Sequence, residues 1–176
     1  MIKIFLCLLI SIFLYAASDA VLKLDAHGHT SMIRDLIITK NKEIITASDD
    51  KTIRVWDSKT GLEKRKILGQ IGMENKGKIF AIALTNDESI LATGGLLVGD
   101  ELDVGAIRIY DYNSGKLIKI LLGHTSAIQD LSFSSNNKYL ISSGHHKTMI
   151  WDFKNDYNLL STYPIESSAV DIIKKN

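Results

Sequence analysis

Five histidines and a loose group of carboxylates are the side chains best able to do chemistry in this sequence. His27 and His29 stand two apart, so an extended chain aims both imidazoles to one side, and His145 and His146 add an adjacent pair. Imidazoles so placed could ligate a transition metal, but no carboxylate or thiol at ligand spacing completes a site. Asp100, Glu101 and Asp103 suggest calcium, yet lack the alternating oxygen ligands and closing Glu of a loop site. Ser, His and Asp are plentiful without a nucleophile elbow, and no Gly-rich loop follows a strand and opens a helix. The expectation is a protein that is not an enzyme, with no catalytic residues, no metal and no cofactor.

The chain that must position these residues is 176 long, the size of one domain or of a piece of a larger one. Hydrophobic residues at 45% and charged residues at 23% exclude a disordered or fibrous chain. A net charge of +1 without single-sign runs argues against a nucleic-acid partner. The single cysteine, Cys7, rules out a disulfide framework.

Lys3 followed by the apolar run Ile4 to Ala17, broken only by Ser11, has the length of a secretory h-region, and Ala16-Ala17-Ser18 and Ser18-Asp19-Ala20 offer small-residue cleavage tripeptides. A transmembrane anchor would need roughly 20 apolar residues. Residues 1–18 are therefore expected to be a signal peptide, leaving no stable membrane span and placing the protein in the periplasm or outside the cell. Cys7 would leave with the signal.

The rest of the chain repeats itself. Ile53-Arg54-Val55-Trp56-Asp57, Ile107-Arg108-Ile109-Tyr110-Asp111 and Met149-Ile150-Trp151-Asp152 are one segment written three times, each followed by a turn of small and polar residues. Upstream of each lie two β-rich runs separated by a polar turn: Ile33 to Ile38 before Glu43 to Ala47, Ile79 to Leu84 before Ser89 to Thr93, and Ile128 to Phe133 before Lys138 to Ser142. Four short strands per unit is an all-β spacing.

With Gly28-His29-Thr30 and Gly123-His124-Thr125 opening two units and Trp56-Asp57 and Trp151-Asp152 closing them, residues 19–176 resemble the WD40 repeat family of β-propellers. The resemblance implies an all-β partial propeller: about three four-stranded antiparallel blades, at about 26–68, 72–122 and 123–163, plus an orphan strand at each end. Those strands are Ala20 to Leu24 and Ala169 to Ile173, the latter opening a fourth blade at 168–176. Propellers close with about 4 to 8 blades. Three blades would leave two open faces, an omission on the order of 10 kcal/mol each at ~25 cal/mol/Å². The expectation is the N-terminal part of a longer propeller, with self-association through the open faces as a further option.

In the family, a His, a Ser or Thr, an Asp and the Trp form a hydrogen-bonded chain across a blade. Carried over, His29, Thr46, Asp50 and Trp56 form it in the first blade, and His124, Ser142 and Trp151 in the third, where His146 replaces Asp. The middle unit has Tyr110 for Trp, Ala92 at the hydroxyl position and Asn75 for His, which implies that its network is lost. It also carries about eight extra residues within Gly94 to Gly105, in a hairpin that in the family opens on the same face as the Gly-His loops.

The function implied is a non-catalytic scaffold binding a protein or peptide. The candidate contact residues are His27, His29, Leu96, Leu97, Asp100, Glu101, Asp103, His124, His145 and His146. The wording of His29 to Asp35 and of Asp50 to Asp57 is also similar to exported bacterial chains in which a propeller precedes a caspase-like peptidase. The alternative is therefore the regulatory front of such an envelope enzyme, with its catalytic domain beyond this chain.

Overall fold

The computed structural model describes residues 27–97, 105–165 and 169–170. The expected signal peptide with Cys7, the strand Ala20 to Leu24, the acidic group Asp100, Glu101 and Asp103, and all of 168–176 except Ala169 and Val170 lie outside the described residues.

Twelve strands and no helix make up the described chain. They form three antiparallel sheets in simple chain order. Blade 1 holds β1 (Ile33–Ile38), β2 (Glu43–Ser48), β3 (Thr52–Asp57) and β4 (Glu63–Leu68). Blade 2 holds β5 (Ile79–Leu84), β6 (Ile90–Gly95), β7 (Gly105–Asp111) and β8 (Leu117–His124). Blade 3 holds β9 (Ile128–Phe133), β10 (Tyr139–Gly144), β11 (Thr148–Asp152) and β12 (Asn158–Tyr163). The all-β partial propeller expected from the repeats is the architecture observed.

The Asp of each Trp-Asp or Tyr-Asp pair closes the turn that follows it. Asp57 Oδ1 accepts from the Lys59 and Thr60 amides, both at 2.9 Å, and Asp111 Oδ1 accepts from Ser114 N at 2.7 Å. The Thr60 and Lys59 amides hold the Asp57 carboxyl below the usual carboxylate range, and the Ser114 hydroxyl followed by its amide does the same for Asp111. Gly61 (φ 71°) and Gly115 (φ 69°) then supply the left-handed residue each turn requires.

Two apolar layers join the blades. Ile45, Ile53, Val55 and Ile67 of blade 1 pack on Ile79, Ile82, Leu91 and Tyr110 of blade 2. Ala92, Ile107, Ile109 and Leu121 of blade 2 pack on Ile128, Leu131, Leu140 and Trp151 of blade 3. Between them, Tyr112 OH donates to Glu43 Oε2 at 2.8 Å, with the Arg65 guanidinium 4.3 Å over the Tyr112 ring. The outer blades each keep a sheet face uncovered among the described residues. Leu36 (56%) and Ile38 (67%) are exposed on blade 1, and Leu160 (50%) and Tyr163 (45%) on blade 3.

One expected position shifts. In blade 1, Trp56 lies opposite Ile44 and Arg54 opposite Thr46. In blade 2, Tyr110 lies opposite Leu91 and Arg108 opposite Thr93, so Thr93 occupies the hydroxyl position and Ala92 does not. The cause is the first turn of the blade. Thr39 N reaches Glu43 O in blade 1, whereas Thr85 N reaches Ile90 O in blade 2 and Ser134 N reaches Tyr139 O in blade 3, each one residue longer. A one-residue slip in a strand exchanges its two faces, and Ala92 accordingly packs toward blade 3. The same shift sizes the insert. Thr93 to Arg108 is fifteen positions against eight from Thr46 to Arg54, so it adds seven residues rather than eight.

Candidate functional site

The first blade contains a complete relay. Trp56 Nε1 donates to Thr46 Oγ1 at 2.8 Å, and Thr46 Oγ1 lies 2.7 Å from His29 Nε2. His29 Nδ1 lies 2.8 Å from Asp50 Oδ2. A carboxylate only accepts, so Nδ1 carries the proton and Nε2 accepts from the threonine hydroxyl. Burial pushes the Asp50 carboxyl up, but bonds from the Thr52 hydroxyl, His29 and the Thr30 amide outweigh it and leave the group below its ordinary range. The relay thus ties the loop before β1 to β2, β3 and their hairpin.

Blade 3 repeats the inner half. Trp151 Nε1 donates to Ser142 Oγ at 2.9 Å, and Ser142 Oγ lies 2.7 Å from His124 Nε2. His146, four residues after Ser142 as Asp50 is after Thr46, is exposed, and His124 Nδ1 has no hydrogen-bond partner among the described residues. Burial without a counter-charge, with Lys147 nearby, pushes the His124 imidazole down to about 4. In blade 2, Thr93 is fully buried with its hydroxyl unpaired among the described residues, while Asn75 is exposed and only its backbone carbonyl is used, by Lys78 N.

These relays brace one rim, where the loops before each first strand and the second hairpin of each blade meet. Asp49 N donates to Met32 O at 3.0 Å and Gly69 N to Lys51 O at 2.9 Å. The insert of blade 2 is held at both stems: Leu96 N donates to Lys78 O, Gly77 N to Leu96 O and Ala106 N to Leu97 O, at 2.8 to 2.9 Å. A bulge early in β1 and β5 falls at Arg34 and Phe80, and places them on this rim. Arg34 is bound through Nε and Nη2 to Asp49, both at 2.8 Å, and its guanidinium stands 5.0 Å from the Phe80 ring. The Arg34 bonds, outweighing burial, hold the Asp49 carboxyl below its usual range. In blade 3 the corresponding Gln129 Nε2 lies 3.4 Å from His145 Nε2.

The expected contact residues divide accordingly. His27, His145 and His146 are exposed on the rim, and Leu96 is half-buried at a stem of the insert. Leu97 is fully buried in the layer between blades 1 and 2, so it serves packing and leaves the contact surface. The His124 side chain is likewise fully buried, and only its loop reaches the rim. Asp100, Glu101 and Asp103 lie outside the described residues. Among the described residues, no three His, Cys, Asp or Glu side chains are grouped to hold a metal ion. Arg34, Asp49 and Phe80 were not singled out from sequence; the signal for Arg34 and Phe80 was their shared place just before Asp35 and Ala81, and Asp49 is found only through its bond to Arg34.

Those same Asp residues join first strands. Asp35 Oδ2 accepts from Ile82 N of blade 2 at 2.8 Å. Burial pushes the Asp35 carboxyl up, the Ile82 and Leu36 amides counter this, and the charge of Asp130 adds to the rise.

Comparison with known proteins agrees with this geometry. The family described as "WD domain, G-beta repeat" matches residues 20–57 and 115–152. The chain is 25% identical over 158 residues to Autophagy-related protein 16 of Arabidopsis thaliana, covering 89% of this chain and 27% of that protein. It is 28% identical over 160 residues to the ribosome biogenesis protein WDR12 homolog of Trichoplax adhaerens, covering 87% and 34%. The chain therefore spans about a third or less of these relatives. Among solved structures, the RRP9 WD40 repeats superpose with a TM-score of 0.64 at 22% identity, covering 77% of this chain and 39% of that one. Two stretches matched as WD40 repeats and an intervening blade of the same strand order make the chain similar to WD40-repeat proteins.

Proposed function

We propose that this chain is a non-catalytic protein-interaction scaffold that presents the rim around Arg34 and Phe80 to a protein or peptide. The observation carrying this reading is the pinned Arg34, held by two 2.8 Å bonds to Asp49 and lying against an aromatic ring. A guanidinium fixed beside an aromatic loses little entropy on binding, and such residues dominate protein contacts. Arg34→Ala and Phe80→Ala should each cut recovery of a bound partner about tenfold or more while leaving the thermal transition within a few degrees of wild type. Unchanged recovery would overturn the assignment.

Export belongs to the same proposal and is supported by Lys3 and the apolar run Ile4 to Ala17. So does a longer propeller, supported by the two uncovered sheet faces. The alternative, a regulatory front for a caspase-like or other envelope enzyme, is supported by the wording of His29 to Asp35 and Asp50 to Asp57. A His and a Cys on an α/β pattern downstream in the reading frame would favour it, and further repeats alone would favour the scaffold.

A further inference from the structure

Leu36, Ile82 and Leu131 hold the same place in three first strands, opposite Thr46, Thr93 and Ser142. Each of their amides is met by a carboxylate. Asp35 Oδ1 accepts from Leu36 N at 2.7 Å, and Asp35 Oδ2 from Ile82 N at 2.8 Å. Asp130 Oδ1 accepts from Leu131 N at 2.8 Å, and Asp130 Oδ2 from Val170 N at 2.6 Å. One carboxylate thus serves its own strand and the next.

The residues before these amides alternate: Asp35, Ala81, Asp130 and Ala169. Where Ala precedes the amide, that strand has no carboxylate of its own and takes the second oxygen of the blade before it. Where Asp precedes it, the strand is self-sufficient. Ala169-Val170 repeats Ala81-Ile82 in residue type, in acceptor and in the oxygen used.

We propose that Asp130 is the docking point for the chain's own segment at Ala169 and Val170, which takes on blade 3 the place that Ala81 and Ile82 take on blade 1. The uncovered face of blade 3 offers the room, including a cavity of about 340 Å³ lined by Tyr139, Ile141, Ile150, Leu160 and Ser161. Its inner edge is occupied by this chain and closed to an equivalent strand from elsewhere. An amide–carboxylate bond of this kind is charge-assisted and directional, so it fixes register as well as proximity.

Residue-resolved amide hydrogen exchange on the full chain tests this. Val170 N–H should exchange at least about tenfold more slowly than in an unstructured peptide. Asp130→Ala should return Val170 to the unstructured rate and leave Ile82 protected, while Asp35→Ala should do the reverse. If Asp130→Ala does not fold, Asp130→Asn is read on both amides, since one amide oxygen can serve Leu131 or Val170 in this geometry but not both, and one of the two should lose its protection. An unprotected Val170 in the wild type, a Val170 indifferent to Asp130→Ala, or both amides indifferent to Asp130→Asn, would overturn the proposal. So would protection that appears only as protein concentration rises, because a second copy would then be the occupant.

Discussion

Thr93 and Ser142 occupy the same register position in adjacent blades, yet Ser142 Oγ bonds both Trp151 and His124 while the Thr93 hydroxyl meets neither a tryptophan nor a histidine. The pair separates the cost of burying a hydroxyl from the gain of bonding it. Ser142→Ala strands two buried polar atoms and should cost about 2–4 kcal/mol. Thr93→Val removes an unpaired hydroxyl at similar shape and should be neutral or stabilising by about 1 kcal/mol. Denaturant midpoints at constant slope measure both, and equal losses would contradict the register.

Acid should expose the incomplete relay of blade 3. The His124 imidazole, pushed down to about 4, is neutral in the fold, whereas in the unfolded chain it protonates near 6.5. The unfolded state therefore binds more protons between those values. This contribution to stability is intact above about pH 6.5 and is lost as pH falls toward 4, on the order of 3 kcal/mol in all. Imidazole NMR shifts should keep His124 neutral down to about pH 4, and a midpoint near 6.5 would contradict the burial.

The joint between blades 1 and 2 has its own reporter. Burial and the Glu43 carboxylate push the Tyr112 hydroxyl up to about 12. A folded value raised above the unfolded one near 10 stabilises at lower pH and is lost as pH rises from about 10 to 12. Tyr112→Phe should abolish that alkaline slope and cost about 1–2 kcal/mol near neutrality. Glu43→Gln should bring the Tyr112 titration, followed by tyrosinate absorbance, toward 10.

What could be read from sequence was what the repeat writes in residue type. The strand runs follow from spacing between like residues, whereas the relay His29, Thr46, Asp50 and Trp56 and the loss of Asp50's counterpart in blade 3 are what the family resemblance implies. The middle blade defeated spacing because its turn at Thr85 is one residue longer than that at Thr39 and, unlike blade 3 with an equally long turn at Ser134, it has no Gly-His or Trp-Asp pair to mark the register. Leu97 reads as part of an exposed insert but is drawn inward because the stem bond from Ala106 N returns the chain to the core at that point. The Arg34–Asp49 pair joins residues fifteen apart and depends on the bulge in β1, which is a tertiary outcome.

The most direct test of the scaffold reading is site-specific photo-crosslinking from the rim and from the opposite end of the same blade. A photoreactive residue at Phe80 should give a discrete adduct with a partner protein, suppressed at least about tenfold by Arg34→Ala, while the same residue at Asn113 in the turn after β7 should give none. Adducts of equal yield from both positions, or from Asn113 alone, would contradict a partner-binding rim.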